Sequence, residues 1–155
     1  MIDLSDLLAS EAVLSGAPAG SKKSLLVQLG QAAAQAYGLD AKLVTERLTE
    51  REKLGSTGFG AGIAIPHAKL ADLRRVVGVF ARLSKPVDFA AVDDLPVDLV
   101  FMLLSPVGAG AEHLKALARV SRRLRDRNFA AKLRGAGSQD ALYALLTGVE
   151  ARDAA

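Results

Sequence analysis

Cysteine is absent from this chain of 155 residues. That excludes disulfides, cysteine-based zinc sites and thiol catalysis, and it fits a reducing compartment. Aromatic residues make up only 5% of the sequence and do not interleave with the basic ones. A stacking platform for single-stranded nucleic acid is therefore not expected. Charge of one sign is also scarce in excess: 20 Lys and Arg against 17 Asp and Glu leave a net +3. Such an imbalance does not by itself argue for nucleic acid. No uninterrupted apolar run is long enough to span a bilayer. The opening "MIDLSDLLAS" has acidic residues where a secretory signal would have basic ones. The expectation is a cytoplasmic protein without membrane insertion.

What is present is half hydrophobic, enough for a core without staples. The length favours one domain, 1–150, with 151–155 as a frayed tail. Residues 1–10 read as a short amphipathic turn with Ile2, Leu4, Leu7 and Leu8, and "SGAPAGS" reads as a loop. Ser21 predicts the N-cap of a helix through Tyr37 that Gly38 stops. Asp40 predicts a second helix from Ala41 to about Leu54. Its inward face carries Val44 and Leu48, and Glu46, Arg47, Glu50, Arg51 and Glu52 dominate the other positions. Ile63–Ile65 reads as a brief strand, Arg75–Leu83 as a better one, and "KPVDFAAVDDLP" as a turn-rich connection. The nearly continuous apolar run Val97–Pro106 suits a strand covered on both faces. A helix is expected over Ala111–Arg127 with Leu114, Leu117, Val120, Ser121 and Leu124 on one side. "NFAAKLRGA" gives a short helix, and Ser138 caps a last one, Gln139 to about Gly148. The fold class this order implies is α/β, a single domain whose central mixed β-sheet is sandwiched between helices on both faces.

The reactive inventory is thin. There are two histidines, His67 and His113, and no HExxH or GxxxxGK[ST] pattern. Gly58, Gly60 and Gly62 do not make the GxGxxG of a dinucleotide site. The two histidines lie on separate elements without ligand spacing, so no metal and no cofactor are expected. His67 follows Pro66, which stiffens the backbone entering it. Upstream glycines and the hydroxyls of Ser56 and Thr57 can offer donors to an anion. A neutral imidazole there can accept and release a phosphoryl group. His113 falls in the first turn of its helix, where free N–H groups and the dipole favour an anion, although a structural histidine fits that place equally. Arg51 could clamp a phosphoryl oxygen, but from position alone it reads as part of a charged helix surface. Phe59 and Ile65 are candidates for an apolar docking rim. The basic run Arg119–Arg127 reads first as a solvated helix face and second as a dock for an acidic partner.

The stretch "REKLGSTGFGAGIAIPHAK", followed in order by "PVDFAAVDDLPVDLVFMLLSP" and "HLKALARVSRRLRD", resembles the mannitol/fructose-type IIA domains of the bacterial phosphotransferase system. The likeness runs from about residue 3 to 148 and is strongest to the nitrogen-related branch. It implies a mixed sheet between helices and a phosphoryl group accepted on His67 from an HPr-like phosphocarrier. It also implies assistance from His113 by hydrogen bonding and a stabilising Arg51. Ser56 and Thr57 fall in the matching hydroxyl-bearing loop. Phe59 stands where the family is often aliphatic and Ala61 where it is often polar, which bears on partner preference. The nitrogen branch implies a regulatory output through partners such as potassium-transport or sensor proteins. The alternative is a sugar-specific IIA passing its phosphate to a separate IIB domain. A pure binding module and, remotely, a metal hydrolase complete the readings.

Overall fold

The computed structural model describes residues 4–148. The expected frayed tail, the boundary at 150 and Ile2 of the N-terminal turn lie outside the described residues. A 3₁₀ turn, Ser10–Ala12, leads into β1 (Val13–Ala17), then α1 (Lys22–Tyr37) and α2 (Ala41–Lys53). Three short strands follow: β2 (Gly58–Gly60), β3 (Ile63–Ala64) and β4 (His67–Leu70). The long strands β5 (Val77–Val87) and β6 (Val97–Pro106) precede α3 (Gly110–Arg125), α4 (Arg127–Gly135) and α5 (Gln139–Thr147). The six strands form one mixed sheet in the order β1-β5-β6-β3-β2, with β4 also on β6. Helices cover both faces, as the sequence implies.

The caps act as expected. Ser21 accepts from the Ser24 amide, Asp40 from those of Lys42 and Leu43, and Ser138 from that of Ala141. Each satisfies amides that a helix start leaves without intrahelical partners. α1 and α2 pack so closely that a Cβ on Gly30 would lie 2.4 Å from Thr45 Oγ1 and 2.7 Å from the Ala41 carbonyl oxygen. Only glycine allows this approach, and it sets the position of α2, which carries Arg51 and Glu52.

Val97–Leu104 of β6 is buried throughout apart from Asp98, as its sequence predicts for a strand covered on both faces. Three strands escaped the sequence reading. β1 includes the Ser15–Ala17 end of the expected "SGAPAGS" loop; it pairs parallel with β5 and carries a bulge between Ser15 and Ala17. β2 and β4 have only three and four residues, and their partners are β3 and β6 respectively. β5 runs on to Val87 through Pro86, which is tolerated because the ladder is irregular between Arg82 and Val87.

α3 is turned relative to expectation. Its buried face is His113, Ala116, Val120 and Leu124, while Leu114 is 67% exposed. The helix ends at Arg125 because Asp126 leaves helical geometry and caps α4 by accepting from the Asn128 and Phe129 amides. The basic run is accordingly divided among separate partners. Arg119 grips Asp6 through two bonds of 2.9 and 2.7 Å, Arg123 lies over the Phe129 ring, and Arg125 over that of Phe59.

Candidate functional site

β3 and β4 pair with the same edge of β6 in one register, with Ile63 opposite Leu99, Ala64 opposite Val100 and His67 opposite Leu103, and Pro66 stands between them. The Ile65 amide turns away from β6 to donate to the Thr57 carbonyl at 3.1 Å. Pro66 has no amide to lose. Its carbonyl accepts from the Leu103 amide at 2.9 Å, which carries the ladder on in the same register. His67 therefore opens β4 opposite Leu103. The stiff backbone expected from Pro66 is in fact one step of a sheet register.

The imidazole is half-buried, and its Nδ1 lies 2.9 Å from the Ile65 carbonyl oxygen. A carbonyl only accepts, so Nδ1 carries the ring proton and Nε2 keeps its lone pair. Arg51, in the last turn of α2, donates from Nε to that Nε2 at 3.3 Å and from Nη1 to the Gly55 carbonyl at 2.9 Å. The His113 ring stands 5.4 Å from that of His67, tilted by 56°. His113 is 7% exposed, and its Nδ1 is 2.5 Å from the hydroxyl of fully buried Ser105 on β6. His67, His113 and Arg51 line an open cleft of about 420 Å³ with Arg47, Leu54, Ala68, Lys69 and Glu50, whose carboxylate is paired with Arg47 at 3.0 Å.

Both histidines are held below their ordinary basicity. For His67 the largest cause is burial, reinforced by the Arg51 charge and opposed by the Ile65 carbonyl and Glu52. For His113 burial again comes first, followed by repulsion from His67 and Lys69. Two neutral rings with a lone pair at His67 Nε2, bordered by arginine and lysine, suit attack on an electrophile that carries negative charge. Among the described residues, no group of three or more His, Asp or Glu converges to hold a metal ion.

His67, His113 and Arg51, singled out in the sequence, are brought together. The other four candidates are placed differently. Ser56 donates its hydroxyl to the Phe89 carbonyl at 2.7 Å, and Thr57 donates its own to Glu52. Both hydroxyl protons thus brace the loop and are not offered to an anion. Ile65 is only 5% exposed because it continues the core side of β3, so it forms no docking rim. Phe59 is half-buried beneath Arg125 and lines a separate groove with Ile63, Ala130 and Arg134. The exposed apolar residue of the cleft is Leu54, at 84%.

Glu52 is the other surprise. Its side chain is 5% exposed and bonds Lys22 Nζ at 2.9 Å and the Thr57 amide at 3.1 Å. It ties α1, α2 and the loop before His67 together. Its place among outward-facing charges gave no sign of this, since the partners lie on other elements. Leu54 had a weak signal, as an apolar residue outside the α2 stripe just before Gly55.

Comparison with known proteins shows the family and the fold. Residues 6–149 match the profile of the family described as phosphoenolpyruvate-dependent sugar phosphotransferase system, EIIA 2. A nitrogen regulatory protein of Bradyrhizobium diazoefficiens is 50% identical over 92% of this chain and 94% of its own. A fructose-specific EIIA component of that system from Haloferax volcanii is 34% identical over 95% and 96%. The crystal structure of nitrogen regulatory protein IIA-Ntr from Neisseria meningitidis superposes with a TM-score of 0.87 at 35% identity, covering 93% of this chain and 99% of that one.

Proposed function

The chain belongs to the EIIA 2 family of the phosphoenolpyruvate-dependent sugar phosphotransferase system, and on that premise we propose that His67 Nε2 is its phosphoryl acceptor. The donor is a phosphohistidine on an HPr-like carrier. The observation that supports this most is the bond from His67 Nδ1 to the Ile65 carbonyl, which leaves the Nε2 lone pair in the cleft beside Arg51. In the transfer the donor's N–P bond breaks and its electron pair stays on the donor imidazole. The new N–P bond forms from the His67 Nε2 lone pair, and no redox partner is required. Arg51 must first let go of Nε2. Its N–H groups then face the incoming phosphoryl oxygens, where a guanidinium fork matches the anion. Near-neutral His113 offers an N–H from the other side.

The output is regulatory. The protein is a IIA component resembling nitrogen regulatory relatives, and its phosphorylation state governs binding to nitrogen-metabolism or potassium-transport partners. The added charge acts on a surface with which such a partner must be complementary. The fructose-specific relative keeps a second reading in view, transfer onward to a IIB domain and then to sugar.

The test is incubation with enzyme I, the carrier and phosphoenolpyruvate, followed by mapping of an acid-labile, base-stable phosphate. His67→Ala abolishes labelling and His113→Ala slows it. An unmodified His67 beside an active donor refutes the reading. Capture experiments with phosphorylated and unphosphorylated protein then test the output. Chase of the label into a IIB domain and sugar separates the second reading from the first.

A further inference from the structure

We propose that Ser105 is a positioning residue that holds His113 in the tautomer needed to donate a hydrogen bond from Nε2 into the cleft. The inference rests on the phosphoryl-acceptor reading and extends it to a residue on another strand.

A neutral imidazole has one N–H, on either Nδ1 or Nε2. If Nδ1 held it, Nε2 would present a lone pair to the oxygens of a phosphoryl group on His67, and the two would repel. The Ser105 hydroxyl, 2.5 Å from Nδ1, decides between these. Ser105 has no exposed surface. Among the described residues, its hydroxyl has no hydrogen-bond partner other than His113. Were Nδ1 to donate to it, the hydroxyl proton would be buried without an acceptor, which is costly. With the hydroxyl donating, Nδ1 accepts and the ring proton goes to Nε2, so the buried hydroxyl and Nδ1 are both satisfied.

The register places this device beside the acceptor. Leu103 and Ser105 alternate with Leu104 along β6 and so share one face of the sheet. Leu103 pairs with His67, and Ser105 with Lys69. Hence one face of two adjacent strands carries both His67 and the hydroxyl that orients its neighbour. The two histidines are set by the same kind of contact used in opposite senses. A carbonyl at Ile65 forces the proton onto His67 Nδ1 and frees Nε2 to attack. A hydroxyl at Ser105 puts the His113 proton on Nε2, where it is a donor.

The experiment combines nitrogen NMR of the imidazoles with single-turnover transfer from the phosphorylated carrier. Wild-type His113 is expected as the Nε2–H tautomer at neutral pH. Ser105→Ala shifts it to a mixture and slows transfer roughly 2- to 10-fold, the cost of one neutral hydrogen bond. Ser105→Thr, which keeps the hydroxyl, retains the tautomer. A wild-type Nδ1–H tautomer overturns the proposal, as does a Ser105→Ala variant that keeps the Nε2–H form, whether or not its rate falls. Loss of the Nε2–H form in Ser105→Thr also counts against it. If the wild type accepts no phosphate from an active donor, the function reading fails, while the tautomer measurement still decides the role of Ser105.

Discussion

Replacing Arg51 by alanine tests the balance of forces on His67 most directly. The guanidinium makes a 3.3 Å bond to Nε2 and a 2.9 Å bond to the Gly55 carbonyl, so it is aimed before any phosphate arrives. A hydrogen bond to a charged partner contributes about 1.5–3 kcal/mol. If that bond is realised on the phosphoryl group in the transition state, its loss slows transfer by about 10- to 150-fold. The cleft is open and water screens it, which favours the lower half of that range. Folding is affected less. Arg51 lies in the last turn of α2, where a cation interacts with the helix dipole for about 0.3–1 kcal/mol. The assay is single-turnover transfer from the phosphorylated carrier, with urea unfolding as a control. Arg51→Lys keeps the charge without the fork and should recover only part of the rate. Arg51→Ala also removes a positive neighbour that depresses the basicity of His67, so the His67 titration moves up. Transfer by Arg51→Ala at the wild-type rate, with an unmoved His67 titration, would refute the reasoning.

Four further predictions concern pH, packing and the rim. Both histidines titrate below the ordinary value of about 6.5 when folded. As pH falls through 6.5 the unfolded chain therefore takes up protons first, and stability declines until the folded values are passed. Denaturant midpoints between pH 7 and 5 should fall more for the wild type than for a His67→Ala, His113→Ala double variant; equal slopes would contradict this. Gly30→Ala should cost about 1–3 kcal/mol by overpacking α1 against α2, and an unchanged urea midpoint would show that the helices simply part. Ile65→Ala should cost about 2–5 kcal/mol as a cavity in the core. Leu54→Ala should change stability by less than about 0.5 kcal/mol yet raise the KM for the carrier, and a KM equal to wild type would remove Leu54 from the docking surface.

Legibility in the sequence followed the range of the interactions. Helices α1, α2 and α5 could be read almost to the residue because Ser21, Asp40 and Ser138 act on amides two or three positions away. β6 was legible because burial on both faces leaves a continuous apolar run. β1, β2 and β4 are short, rich in Gly or mixed in character, and exist because of distant partners. The site divides in the same way. His67 and His113 stood out through scarcity and context, and Arg51 only through family resemblance, since its contact spans 16 positions. Ser105 was hidden at the end of an apolar run, and Glu52 among the surface charges of α2. Their roles depend on what the fold sets opposite them.

The divided edge of β6 has a consequence for solubility. A strand left open at a sheet margin offers a row of unpaired amides and carbonyls that can recruit another chain. Here the margin beyond β6 is made of β2, three residues long, and β4, four residues long, each joined to a different strand. Neither is long enough to template strand addition, and because β2 lies on β3 and β4 on β6 they do not present one continuous edge. His67 can thus stand on the short marginal strand β4, beside α2 and facing the cleft, without making that margin a nucleus for aggregation.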